Sequence, residues 1–162
     1  MNAKDERMTA YEGLFLFPQA QGSDLQGAVD HVKEILARAG SEVISLRKWD
    51  ERRLAFEIKG NKRGVYFLVY FRVRRSGMAA IERGCNLSEM LLRSMMLRAD
   101  HVAPDQMEAA DGRAELADEI RLRSVRAASA QVTEDAAGTD VDEDEEAVTV
   151  ETEGSRDPLT AG

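Results

Sequence analysis

Ten basic side chains crowd one stretch of this sequence, with aromatic rings among them. Arg47, Lys48, Arg52, Arg53, Lys59, Lys62, Arg63, Arg72, Arg74 and Arg75 lie within it, with Trp49, Tyr66 and Tyr70 interleaved. Cationic side chains neutralise phosphates and release their counterions, while aromatic faces stack on bases or riboses. The combination points to RNA contact; charged strand edges that only guard a hairpin against aggregation would have the same composition. Residues suited to covalent or metal chemistry are scattered instead. The two histidines, His31 and His101, are far apart, and neither forms a spaced cluster with a carboxylate or with the single cysteine, Cys85. No G-x-S-x-G elbow, P-loop or G-x-G-x-x-G fingerprint is present. The acidic run Asp140 to Glu146 lacks the glycine turn and ligand spacing of a calcium loop and reads as a solvated charge run. The expectation is a protein with no catalytic site, no metal and no cofactor.

Charge is divided along the chain. The 162 residues have a formal net charge of −8, but residues 1–103 hold 17 Lys+Arg against 13 Asp+Glu, and residues 104–162 hold 5 against 17. A mildly basic front joined to an acidic rear suits an RNA-contacting domain with a solvated tail. One cysteine permits no internal disulfide, in keeping with a reducing compartment. The charged start, Met1 to Arg7, has no apolar stretch of signal-peptide length. The longest apolar run, Val65 to Phe71, is about a third of a membrane span. A soluble, cytoplasmic protein with no membrane partner and no small-molecule substrate is expected.

The elements that must hold the basic and aromatic residues follow from periodicity. Tyr11 to Phe17 reads as a buried strand ending at Pro18. Ser23 and Gln26 have capping-box spacing, and Leu25, Ala28, Val29, Val32, Ile35, Leu36 and Ala39 form one helical stripe closed by Gly40. Val43 to Lys48 and Arg53 to Lys59 predict one long strand bent around Trp49 and Asp50. The Gly60 to Gly64 stretch predicts a turn, and Val65 to Val73 a strand that pairs back as a hairpin. The odd residues from Val65 to Val73 are all apolar and must face the core; Tyr66, Leu68, Tyr70 and Arg72 face the other way. Ser76 is placed to cap a second helix over 77–86, which Gly84 weakens by about 1 kcal/mol against alanine, and Leu91 to Ala99 predicts a last strand.

The order β-α-β-β-α-β predicts an α+β, ferredoxin-like sandwich: a four-stranded antiparallel sheet with two helices on one face. The expected organisation is a flexible terminus over 1–8, one RNA- and protein-binding domain over 9–103, and an acidic, largely disordered tail over 104–162 with room for one helix near 113–126. Arg63 to Tyr70 partly fits the RNP1 pattern of RNA-recognition motifs, but Val65 and Tyr66 break it, and Phe67 falls on the core parity rather than on the stacking face.

The same hairpin residues carry a resemblance. Tyr11-Glu12, the run Trp49-Asp50-Glu51-Arg52-Arg53-Leu54-Ala55-Phe56-Glu57-Ile58, and the run Gly64-Val65-Tyr66-Phe67-Leu68-Val69-Tyr70-Phe71 stand in this order and spacing. Together with Leu91-Leu92-Arg93 they resemble the bacterial small-subunit ribosomal protein S-six family over about Thr9 to Asp100. Arg-Arg-Leu-Ala-aromatic-x-Ile is the most specific part. Thr9 stands where that family usually carries arginine, and Glu57 where it often carries proline. The resemblance implies a ferredoxin-like fold and no catalysis. It also implies a structural role in the cytoplasmic ribosome, binding small-subunit ribosomal RNA together with ribosomal protein S-eighteen. By position it implies RNA-facing roles for Arg52, Arg53, Arg93 and Arg98, to which the hairpin reading adds Lys62, Arg63 and Arg72. The partner-binding candidates are Trp49, Tyr66, Leu68 and Tyr70, on the sheet face that two helices leave uncovered. A free single-stranded RNA-binding module and a small-ligand-binding ferredoxin-like domain are the alternatives. The tail is expected to be repelled by RNA and to limit non-specific binding.

Overall fold

A computed structural model describes residues 7–19 and 24–136, with side chains through Ser129. Ser23, most of the expected 1–8 terminus and the Asp140 to Glu146 run lie outside the described residues. The elements are β1 (Met8–Pro18), α1 (Leu25–Arg38), β2 (Glu42–Ile58), β3 (Asn61–Arg74), α2 (Arg75–Leu87), β4 (Arg93–Arg98), α3 (Pro104–Ala109) and α4 (Arg113–Ala136). The sheet order is β2-β3-β1-β4, every neighbouring pair is antiparallel, and α1 and α2 cover one face. This is the ferredoxin-like arrangement expected from the sequence.

The apolar alternation on β3 decides the packing. Val65, Phe67, Val69, Phe71 and Val73 are wholly buried and meet Phe15, Phe17, Leu46 and the α1 stripe in one core. Phe17 stands edge-on to Phe67 with ring centroids 5.6 Å apart, and Tyr11 stacks on Phe71 at 5.9 Å. The long β2 strand is continuous but irregular, with register shifts between Val43 and Ser45, between Lys48 and Asp50 and again between Arg53 and Ile58. The shift between Lys48 and Asp50 puts the bend at Trp49, as the sequence predicts, and bulges sharpen local twist.

Three local expectations are corrected. The α1 cap is Asp24, whose carboxylate accepts from the Gly27 N–H at 2.9 Å, and Gln26 donates to Asp30 on its own helix instead of reaching back. Helix α2 starts at Arg75 with no side-chain cap, so Ser76 sits inside its first turn. The hairpin turn is only Lys59-Gly60, with φ of 48° and 78°, and Asn61 Nδ2 donates to the Lys59 carbonyl at 2.9 Å. Two consecutive positive φ values give the tight turn whose twist matches antiparallel strands. Lys62 and Arg63 therefore lie on β3 itself. Gly84 has a packing reason: a Cβ there would stand 3.2 Å from Ile35 Cγ2, where α1 and α2 approach.

Order continues past Pro104, where composition marks a change. Met107 and Leu116 are buried, and Leu116 joins the main core with Ile120 packed beside it. This segment also closes the β2 edge. The Leu46 N–H donates to Asp111 Oδ1 at 3.0 Å, the Gly112 N–H donates to the Leu46 carbonyl at 3.2 Å, and Arg113 donates to the Ile44 carbonyl. An edge strand left open is a template for pairing with another chain, so this cover has a clear physical use. Beyond it α4 is tied to β2 by a four-residue charge network. Lys48 Nζ reaches Glu51 at 2.8 Å and Glu119 at 2.6 Å, while Arg123 reaches Glu51 at 2.7 Å and Glu119 at 2.6 Å. The Lys48 hydrogen bond, followed by that of Arg123 and the charges of both, outweighs burial and holds the Glu51 carboxyl at about 2. The helix spans 24 residues, longer than the 113–126 expected.

Three outcomes follow from this packing. Gly77→Ala, which by helix propensity alone would stabilise, is expected to destabilise by about 1–3 kcal/mol in urea unfolding. A Cβ at Gly77 would stand 2.8 Å from the Ala39 carbonyl oxygen, a backbone atom with no freedom to turn away. Leu116→Ala is expected to lose about 2–4 kcal/mol in the same measurement, where an unstructured rear segment would lose nothing. A Glu51 pKa depressed from 4.5 to about 2 gives stability that is complete above pH 4.5 and lost as pH falls towards 2. The advantage of wild type over Glu51→Gln should therefore be at most about 3 kcal/mol at neutral pH and shrink through that window.

Candidate functional site

The open sheet face is built by cross-strand rows. Asp50, Tyr66, Leu16 and Arg93 make one row; Arg47, Leu68, Leu14 and Met95 the next; Ser45, Tyr70, Glu12 and Leu97 the third. Past Arg53, where the register shifts again, β2 folds its arm over this face. Leu54 is buried against Leu16 and Leu92, with Ile58 and Tyr66 packed alongside, forming a second small core. Between this arm and β4 runs an apolar groove of about 300 Å³, bordered by Leu14, Leu54, Phe56, Ile58, Tyr66 and Met95, with Arg93 at its rim.

Large apolar side chains are left in water around it. Phe56 is 67% exposed, Leu97 51%, Met95 49% and Trp49 47%. Exposed apolar surface that is contiguous and rimmed by charge marks an interaction site. Of the expected partner-binding residues, Trp49 and Tyr66 are brought together edge-on, with centroids 5.9 Å apart, and Arg52 lies over the Trp49 ring at 5.4 Å. Tyr70 is partly buried and its hydroxyl donates to Glu12 at 2.8 Å; burial, then this bond and the Glu12 charge, raise its pKa. Leu68 is buried within the face, so it shapes the floor more than the surface. Sequence reasoning missed Phe56, Met95 and Leu97. For Met95 and Leu97 the signal was an apolar side chain on the exposed parity of a short strand, visible only once β4 is placed beside β1, while Phe56 stands on the long β2 arm.

The cations do not form one patch. Arg53 is opposite Arg63 on the hairpin arm, with Lys62 adjacent, and all three are exposed. Arg93 faces the groove from β4, and Arg72 lies at the other end of the face opposite Ala10 and Glu42. Arg98 pairs with Tyr11 in register, five residues from Arg93 and so on the other parity, and its guanidinium meets Asp100 at 2.7 Å. Arg52 is held by Asp50. Among the described residues, Arg53, Lys62, Arg63, Arg72 and Arg93 have no ion-pair partner. Phe67 is wholly buried, so the RNP1-like segment cannot stack a base with it.

Chemistry of other kinds finds no site among the described residues. No group of three or more His, Cys, Asp or Glu side chains converges as metal ligands. His31 Nε2 shares a 2.7 Å hydrogen bond with Ser88, whose hydroxyl also accepts from the Leu91 N–H, which anchors the turn before β4. Cys85 is buried against the helix layer, and that burial raises its pKa, leaving the neutral thiol. No described helix is long and apolar enough to cross a membrane.

Residues 10–98 match the family model of ribosomal protein S6, the S-six family that the hairpin residues resemble. The small ribosomal subunit protein bS6 of Helicobacter hepaticus is 33% identical over 92 residues, covering 56% of this chain and 67% of that protein. The bS6 protein of Heliobacterium modesticaldum is 32% identical over 94 residues, covering 57% of this chain and 98% of that one. A crystal structure of the 30S ribosomal protein S6 from Thermotoga maritima superposes with a TM-score of 0.54 at 22% identity, covering 64% of this chain and 98% of that chain, and supports the fold. The chain belongs to the ribosomal protein S6 family, structural and non-enzymatic components of the cytoplasmic ribosome.

Proposed function

We propose that this chain binds small-subunit ribosomal RNA together with ribosomal protein S-eighteen, through two adjoining parts of one surface. The observation that carries this reading is the apolar groove with Phe56, Met95 and Leu97 exposed, flanked by cations that have no ion-pair partner among the described residues. The groove supplies the protein contact. Among the described residues nothing covers its exposed apolar side chains, and burying them under a partner recovers about 25 cal/mol for each Å². The hairpin arm supplies the RNA contact, with Arg53, Lys62 and Arg63 directed at phosphates, and Arg93 stands where the two surfaces meet. Contacts of this kind position a protein on folded RNA by backbone and shape, without sequence readout. Arg52 contributes by holding Trp49 in place as well as by its charge.

The test is sedimentation of a native lysate on sucrose gradients at low and high salt. Co-migration with small subunits that survives a high-salt wash is expected; recovery only at the top of the gradient under both conditions overturns the reading. The two surfaces are separable by mutation. Phe56→Ser is expected to weaken association with the protein partner at least tenfold while leaving the unfolding midpoint within experimental error, since Phe56 is exposed. Arg53→Gln with Arg63→Gln is expected to weaken RNA association and to reduce the slope of log affinity against log salt by about one for each arginine removed.

A further inference from the structure

We propose that the cleft beneath the hairpin turn holds one phosphate group, gripped by Lys59 from the β2–β3 turn and Arg93 from β4. Under the RNA-binding reading above, on which this second step rests, the occupant is a backbone phosphate of the RNA.

The cleft measures about 260 Å³ and is bordered by Lys59, Asn86, Ser88, Arg93 and Ser94, with Cys85 behind them. Three separate segments meet there: the hairpin turn, the end of α2 with the loop after it, and the start of β4. Lys59 is brought in by the turn itself, and its Nζ donates to the Leu91 carbonyl at 3.2 Å. An ammonium has three N–H donors, and the other two have no partner among the described residues. Arg93 is exposed and likewise has no ion-pair partner among the described residues. Leu54 and Ile58, packed on Leu16 and Leu92, fix the arm over the start of β4, so both cations are in place before a ligand arrives.

The charge balance favours an anion. No described carboxylate lines the cleft, and Glu57, Glu82 and Glu89, the nearest in sequence, are exposed. Burial raises the Cys85 pKa and keeps its thiol neutral, so the wall beside Ser94 adds no negative charge. The C-terminal end of α2, which borders the cleft at Cys85 and Asn86, carries about half a negative charge; Lys59 and Arg93 set two full positive charges against it. The Ser88 hydroxyl is already committed to His31 and to the Leu91 N–H, which leaves Ser94 and Asn86 as the neutral donors. A tetrahedral phosphate offers oxygens in several directions and can meet donors from all three segments at once, where a planar carboxylate cannot. Phosphate contacts of this kind fix register on RNA without reading its sequence.

The full chain is titrated with inorganic phosphate, at an ionic strength held constant with sodium chloride, and followed by backbone amide NMR. Saturable shifts at Asn86, Arg93 and Ser94 are expected. Lys59→Gln should weaken them at least tenfold, Lys59→Arg should restore them, and Arg53→Gln with Arg63→Gln should leave them unchanged. A short A-form RNA duplex at low salt should move the same three amides, and Lys59→Gln should lower its slope of log affinity against log salt by about one. No saturable shift at these amides, or equal phosphate affinity in wild type and Lys59→Gln, overturns the site. Saturation by phosphate while bound RNA leaves the cleft amides unmoved overturns the RNA source and leaves free phosphate as the ligand. Saturation by phosphate with no RNA binding at all leaves the cleft standing and counts against the RNA reading instead.

Discussion

The pairing of β1 with β3 is the constraint on which the rest depends, because side chains alternate faces along a strand and a one-residue slip would reverse every one of them. In the observed register Phe15 meets Phe67 and Tyr11 meets Phe71, all on the helix side. The same register places Leu14 beside Leu68 and Leu16 beside Tyr66 on the other side. One choice thus fixes both the core and the interaction face. The aromatic packing on the core side, Phe17 edge-on to Phe67 and Tyr11 over Phe71, penalises any alternative.

The last two of the three register shifts in β2 then convert a flat face into a groove. Of these two, the first swings Trp49 out to meet Tyr66 and Arg52; the second turns the hairpin arm so that Leu54 and Ile58 close on Leu16 and Leu92. The arm is long enough to do this because the Lys59-Gly60 turn is so tight that Lys62 and Arg63 remain part of the strand. Cations that would have decorated a mobile loop are held instead on a paired strand, at fixed spacing from the apolar groove.

Charge is divided by the same geometry. Helix α4 neutralises Lys48 with Glu119 and shares Glu51 with Arg123, which leaves the positive potential of this side of the sheet concentrated beyond Glu51. Asp111 and Gly112 meanwhile occupy the hydrogen-bonding groups of Leu46, so the β2 edge is closed to strand addition there. Paired and unpaired cations thereby occupy different stretches of a single strand among the described residues.

Much of this was legible in the sequence for a physical reason: burial on one face imposes a period. The five apolar odd residues of β3 and the α1 stripe announced the sheet, its helices and the parity of Phe67 without any coordinates, and the hairpin residues carried the family likeness. Capping was legible only to within a residue, since Ser23 and Asp24 are both competent and backbone geometry at the helix start selected Asp24. What tertiary structure alone decided were contacts between segments far apart in the chain. Phe56 and Met95 become one groove only when the arm folds towards β4. Leu116 and Ile120 read only as a thin stripe on one short helix within an acidic tail, yet Leu116 joins the main core with Ile120 packed against it. Local sequence fixes the faces of each element through its period; which faces meet, and which cations are left without a partner, depends on long-range packing that no single window of residues contains.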